Sequence, residues 1–347
     1  MKLSNQPIFI VGCERSGTTM LRLMLNEHSN IALPPQTKFS KKLYKRRMLF
    51  GDLNNGKNID KIIEWMLQRE TNTKLIDLKL DPNHLRESWK DCTTIGEITG
   101  TVFQQYSKTR HKPRWGDKRP YYIRYISQLM KLYPDARIIH VIRNGHDCIA
   151  SLKRMPWWKK NSIHSMLNWR YSIRMGAKTA KVYKDQFLEV RYEDIVRHPE
   201  AQLKKICDFI NVKYESGMLE FHLSTEKNIP AYKKEWHHKT FKPLSDDAID
   251  TGKEQLSENE LKLFSWCAGK ELNLWNYEAN KGELSFSLKY FRAWVNFYSI
   301  VFLEVVIDRC RLGPLMGQII AHGYCTFLRP ECLPVAPLYQ QGYWCGD

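Results

Sequence analysis

The chain has 347 residues, with 54 Lys plus Arg against 37 Asp plus Glu and a formal net charge of +17. At 43% hydrophobic and 26% charged residues it has the composition of a globular chain with room for one or two domains, which excludes a disordered or fibrous protein. Its nine cysteines are odd in number and never spaced C-x-x-C, so reduced thiols are expected rather than a zinc site or a disulfide framework.

Residues Met1–Gln6 are too short and polar for a signal peptide. The apolar stretch Ala293–Ile307 contains Asn296 and Glu304 and falls short of the roughly 18 uninterrupted residues of a membrane span. The expectation is a cytoplasmic protein with no membrane span. Its surplus positive charge suits nucleic acid, a membrane surface or a small polyanion.

In chain order, Pro7–Val11 (PIFIV) predicts a strand, closed by a Gly-rich turn, and Gly17–His28 has the apolar spacing of a helix. Residues 51–114 carry a weaker helical pattern around Ile62, Ile63, Trp65, Met66 and Leu67. Pro120–Tyr133 predicts a further helix, stopped by Pro134. Arg137–Ile142 (RIIHVI) is the continuous apolar run of a buried parallel strand. Helical spacing resumes after Asn144-Gly145 and again over about 164–183. Phe187–Tyr192 predicts a strand, and Pro199 opens a helix through Ile210. Strands alternating with helices predict a three-layer α/β/α domain with a central parallel sheet. Near residue 283 the character changes. Leu284–Arg311 is aromatic-rich and helical, followed by a Pro- and Gly-broken tail. We therefore divide the chain into a domain over 1–283 and a mainly helical C-terminal extension over 284–347. The extension is expected to pack on its own body or on a second subunit, as in a homodimer, rather than to anchor on a membrane.

Gly12–Thr19 reads G-C-E-R-S-G-T-T between a predicted strand and a predicted helix. There, backbone N–H groups of the turn and the helix N-terminus converge with partial positive charge, while Arg15 adds a planar cation and Thr18 and Thr19 add hydroxyl donors. The spacing approaches G-x-x-x-x-G-K-[ST], but Thr18 replaces the lysine that neutralises a triphosphate, which argues against an ATPase or kinase. By itself the loop reads equally as a structural turn or an anion cradle. A second cation changes that balance. Arg143 ends the strand RIIHVI, Ser151 lies on the helix after it, and ligands of parallel α/β sheets gather at these strand ends. Two anion sites on one edge fit a nucleotide phosphorylated on two ribose oxygens.

These segments resemble the sulfotransferases that use 3′-phosphoadenosine 5′-phosphosulfate (PAPS), in the bacterial and tyrosylprotein-type branch. Arg15-Ser16-Gly17-Thr18-Thr19 is similar to that family's 5′-phosphosulfate loop, and Arg143 with Ser151 to its 3′-phosphate motif. Arg191-Tyr192-Glu193-Asp194 resembles a segment whose tyrosine lies near the adenosine. Trp115–Pro120 resembles the segment that brings a lysine, here Lys118, to the sulfuryl group. The resemblance spans roughly 7–277 and implies a P-loop-like α/β fold. It also implies transfer of a sulfuryl group from PAPS to a hydroxyl or amine, with release of adenosine 3′,5′-bisphosphate and no metal. A small-molecule acceptor is expected, with a carbohydrate or glycolipid as the alternative. A nucleotide-binding protein or phosphotransferase without sulfuryl transfer is the reading from a different class. No nucleic-acid motif is evident.

The resemblance departs at one position. Where the family carries P-P-E-T, this chain has Pro34-Pro35-Gln36-Thr37, and glutamine cannot accept a proton at neutral pH. Either the base has been lost, or another group serves, or the acceptor needs little deprotonation. Asp117 and the His237-His238 pair are substitute candidates, and His238 joins Lys118, Arg15 and Gln36 in the expected catalytic set. Lys253, with Lys239, is the expected C-terminal cation for the 3′-phosphate. Phe39, Tyr44, Trp157, Trp158 and Tyr232 are candidate acceptor-side aromatics.

Overall fold

The computed structural model describes residues 6–53, 55–67, 75–279 and 288–309. Five strands form a wholly parallel sheet: β1 (Ile8–Gly12), β2 (Ile31–Ala32), β3 (Arg114–Lys118), β4 (Arg137–Ile142) and β5 (Phe187–Arg191), in the order β2-β3-β1-β4-β5. The three apolar runs read from the sequence are β1, β4 and β5. The sheet also contains β2 and β3, which the apolar pattern did not announce. Residues 51–114 resolve into helices Gly56–Leu67, Pro82–Trp89 and Ile95–Lys108 ahead of β3. The helix expected over Pro120–Tyr133 begins as a 3₁₀ segment, Pro120–Tyr125, and becomes α-helical only over Ile126–Leu132.

Alternation along the strands sends side chains into two apolar layers. Phe9, Val11 and Ile138 join a cluster with Phe103, Trp115, Tyr122 and Tyr133. Ile8, Ile10, Ile139 and Val141 join the helix Thr18–Glu27 and the helix Pro199–Phe209 on the other face. Every residue of β1 is buried, and each large apolar side chain so removed from water contributes about 1.5–3 kcal/mol. In β3, Gly116 lies so close to β1 that a Cβ would sit 1.8 Å from the Ile8 carbonyl oxygen. That contact accounts for a glycine in the middle of a strand.

From the central strand β1 the chain moves to β2 and β3 on one side and to β4 and β5 on the other. The carboxyl ends of β1, β3 and β4 therefore flank the point where strand order reverses, the place where such sheets open a crevice.

The expected domain boundary near 283 and the tail beyond Arg309 lie outside the described residues. The described part of the extension is the helix Leu288–Arg309. Its Phe297 is buried in one cluster with Trp169 and Phe264.

Candidate active site

The loop after β1 is held in an unusual conformation. Arg15 adopts φ +69° and Gly17 φ +92°, left-handed backbone that a non-glycine residue occupies at a cost. A Cβ on Gly17 would lie 2.3 Å from the Tyr192 ring, so both the turn and the packing require glycine. Gly17 gives the helix Thr18–Glu27 no side-chain cap, and its first turn carries no acidic residue. A helix start of that kind offers its N–H groups and its dipole to an anion. Ser16 is fully buried, and its hydroxyl has no hydrogen-bond partner among the described residues. Buried hydroxyls are nearly always satisfied, so an orphan in a turn of this shape fits a phosphate or sulfate oxygen. Thr18 is buried and Thr19 half-buried beside it.

Arg15 connects this loop to the second predicted anion site. Its Nε donates to Ser151 Oγ at 2.9 Å, and a terminal nitrogen donates to the Trp236 carbonyl at 3.2 Å. Arg143 donates to the Arg15 carbonyl at 3.2 Å, to Asp147 at 3.4 Å and to the Ala248 carbonyl. Its guanidinium stacks 4.5 Å from the centre of the Tyr192 ring. Burial, and then the neighbouring charge of Arg143, push Arg15 down to about 10. Two cations packed together at one strand edge favour an anion between them. Arg154, at the end of the helix Gly145–Lys153, adds its charge to both Arg15 and Lys239. It stands one helical turn beyond Ser151, the spacing from which it could have been added to the sequence reading.

At the end of β3, Lys118 is nearly buried, and its Nζ donates to Gln36 Oε1 at 3.1 Å. The glutamine thus orients the cation that the sequence assigned to the transferred group. Asp117 faces inward instead. It accepts from Thr37 Oγ1 at 2.7 Å, Tyr122 OH at 2.9 Å and the Lys118 backbone N–H at 2.8 Å. Burial raises its pKa while the Thr37 and Tyr122 bonds work against that rise. With its oxygens so occupied, Asp117 anchors the Gln36 segment to β3 and is not placed as the substitute base.

A strap of 3₁₀ turns, Ala231–Phe241, crosses the cleft. Trp236 receives Arg15, Tyr232 donates to Asp77 at 2.7 Å, and the Thr240 carbonyl accepts from Thr225 at 2.9 Å. The two histidines of the strap are placed differently. Burial, followed by the charges of Lys118 and Arg15, pushes the His237 imidazole down to about 2, so it is neutral and close to both cations. His238, the member of the pair named from sequence, is exposed, with its Nδ1 3.3 Å from the Glu235 carbonyl.

Of the two C-terminal lysines, Lys239 has its pKa lowered by burial and then by the charges of Arg143 and Arg154. Lys253 pairs with Glu278 at the surface. Among the candidate aromatics, Trp157 lies 6.1 Å from Trp236 and 6.0 Å from Trp158. Phe39 is core, packed 5.0 Å from Phe103. Lys41 lies over the rings of Tyr121 and Tyr125, at 4.0 and 4.6 Å. Among the described residues, no group of three or more His, Cys, Asp or Glu could hold a metal ion.

Comparison with known proteins supplies the context for this geometry. The profile described as "Sulfotransferase family" matches residues 7–216. A protein-tyrosine sulfotransferase of Drosophila melanogaster is 22% identical over 251 residues, covering 70% of this chain and 46% of its own length. Protein-tyrosine sulfotransferase A of Caenorhabditis elegans is 24% identical, covering 70% of this chain and 60% of its own. The chain thus spans about half the length of these relatives. Among solved structures, the sulfotransferase domain from the Synechococcus PCC 7002 olefin synthase superposes with a TM-score of 0.57 at 24% identity, over 80% of this chain and 98% of that one. The sulfotransferase domain from the curacin biosynthetic pathway gives 0.56 at 20% identity, over 80% and 99%. Both share the α/β fold described above.

Proposed function

Because the chain belongs to the sulfotransferase family, we propose that it transfers a sulfuryl group from PAPS to a hydroxyl or amine of a small-molecule acceptor. The reaction would release adenosine 3′,5′-bisphosphate. One observation carries the reading. Arg15 joins two cationic pockets along one sheet edge, bonding to Ser151 through its side chain and receiving Arg143 on its carbonyl. That arrangement suits a ligand with two separate anionic groups.

The chain's residues divide the work. The 5′ end of the nucleotide fits the loop Ser16–Thr19 with its orphan hydroxyl and helix N-terminus. The 3′-phosphate fits Arg143 and Ser151, with Arg154 and Lys239 adding positive potential. Tyr192 packs its ring against Gly17 and beneath the Arg143 guanidinium, which ties the loop to the second cation. The nucleotide supplies an activated sulfuryl group on a phosphate leaving group. Lys118 and Arg15 then place positive charge where the leaving oxygen becomes negative, an interaction stronger in the transition state than in the ground state. Gln36 holds Lys118 in position. His237 takes the acceptor proton. Burial is the main cause that depresses this imidazole, and an anion between Lys118 and Arg15 offsets the charges that add to it. The strap, seated on Arg15 through the Trp236 carbonyl, would keep water from competing as the acceptor.

The relatives named as protein-tyrosine sulfotransferases support a second reading, in which the acceptor is the phenolic hydroxyl of a tyrosine in a peptide. Turnover with ³⁵S-labelled PAPS across pools of small alcohols, phenols, amines, sugars and tyrosine peptides separates the two. Label in a small molecule supports the first reading and label confined to peptides the second. Label in neither pool, with PAPS bound, would leave a nucleotide-binding protein.

A further inference from the structure

Among the described residues, the body covers one side of the helix Leu288–Arg309 and reaches the other only at Tyr298, which lies 4.9 Å from Trp294. Phe297 is 1% exposed, and Tyr290, Ala293 and Tyr298 pack against the cluster beneath the helix Ser162–Val182. On the other side Leu288, Phe291, Val295 and Phe302 are 61%, 50%, 40% and 66% exposed, with Trp294 at 44%. At 3.6 residues per turn these five positions share an arc of about 120°. From Leu288 to Phe302 no charged residue falls within that arc. Arg292, which is exposed, borders it.

The position of this helix adds a second observation. A chain of ring contacts runs from its buried face to the cleft: Phe297 to His164 at 5.2 Å, His164 to Trp158 at 6.1 Å, Trp158 to Trp157 at 6.0 Å, and Trp157 to Trp236 at 6.1 Å. Trp236 carries the carbonyl that receives Arg15. The covered face of the helix is thus connected to the strap through three intervening rings.

We propose that the helix Leu288–Arg309 docks its open aromatic arc on the surface of a lipid bilayer containing anionic headgroups. Charge selects the occupant. A second copy would bring another +17 against the first, whereas an anionic bilayer is complementary to it. The composition of the arc agrees. Phe, Trp and Leu on one face of a helix that is not apolar enough to cross a membrane settle in the headgroup–acyl boundary, lying in the plane of the surface. The proposal concerns where the protein rests and stands apart from the reaction assigned to the cleft.

The test is co-sedimentation of the full chain with phosphatidylcholine vesicles, with and without phosphatidylglycerol, at low and raised salt. Wild type should pellet with the anionic vesicles, and less so as salt screens the charge. Phe302→Glu and Leu288→Glu, both at exposed positions, should each lower the partition coefficient about tenfold or more. Two separate variants keep the test open should one of them fold poorly. Three results would overturn the proposal. The first is wild type staying in the supernatant, and the second is both variants pelleting as well as wild type, which would assign the binding to general basicity. The third is a species of twice 41.1 kDa in sedimentation velocity that Phe302→Glu dissociates, which would assign the arc to a second copy.

Discussion

The two ends of the cleft differ in what holds them. At the end proposed for the nucleotide, the contacts come from a tight loop, a helix start and the guanidinium pair Arg15–Arg143, all seated on central strands. At the end proposed for the acceptor, the contacts come from the strap Ala231–Phe241 and from Gln36 in a loop. The comparison teaches that the end proposed for the nucleotide is built into the sheet, while the end proposed for the acceptor is left to segments attached by a few hydrogen bonds. A scaffold of this kind can change acceptor without disturbing its hold on the donor.

The sharpest way to break that division is Lys118→Ala. Lys118 lies at the junction, and its loss should lower kcat by about 10²–10³-fold with the donor KM little changed. A large rise in donor KM with kcat intact would return Lys118 to nucleotide binding. Next comes His237→Ala, expected to cost about 10²-fold in kcat, against little for His238→Ala. The pH profile sharpens this contrast. An imidazole pushed down to about 2 stays neutral well below pH 6, so kcat/KM, which reports the free enzyme, should show no histidine limb near the ordinary value of roughly 6.5. A limb there that His238→Ala removes would transfer the role to His238.

Arg143→Ala should raise the KM for PAPS about tenfold to a hundredfold, the worth of a charge-assisted hydrogen bond, with a smaller effect on kcat. The smallest effect is expected at Gln36→Glu. If His237 takes the proton, turnover should change by less than about tenfold. A gain of a hundredfold or more would identify position 36 as the base position and Gln36 as its disabled form.

Much of the backbone at the end proposed for the donor was legible in the sequence, because strand-loop-helix punctuation around Gly12–Thr19 and the apolar run Arg137–Ile142 are local signals. β3 was not legible as a strand. Arg114, Gly116, Asp117 and Lys118 have neither alternation nor β-branched character. They form a buried strand because β1 and β2 pair on either side and because Thr37 and Tyr122 satisfy Asp117. Tertiary context overrode propensity there. Which histidine of the pair faces the cleft could not be read either. Neighbours in a strap of 3₁₀ turns point in different directions, and only the register of the strap on Arg15 decides between them. Lys253 shows the same limit. Its charge was visible, but its pairing with Glu278 depends on how distant segments meet.

The central claim is that two linked cationic pockets hold the two phosphates of one nucleotide. Isothermal titration of adenosine 3′,5′-bisphosphate, set beside adenosine 5′-phosphate and adenosine 3′-phosphate, tests it most directly. The account predicts that the bisphosphate binds about tenfold or more tighter than either monophosphate, and that Arg143→Ala removes the advantage over the 5′-phosphate alone. Equal affinity for the bisphosphate and the 5′-phosphate, or no heat with any of the three, would contradict it.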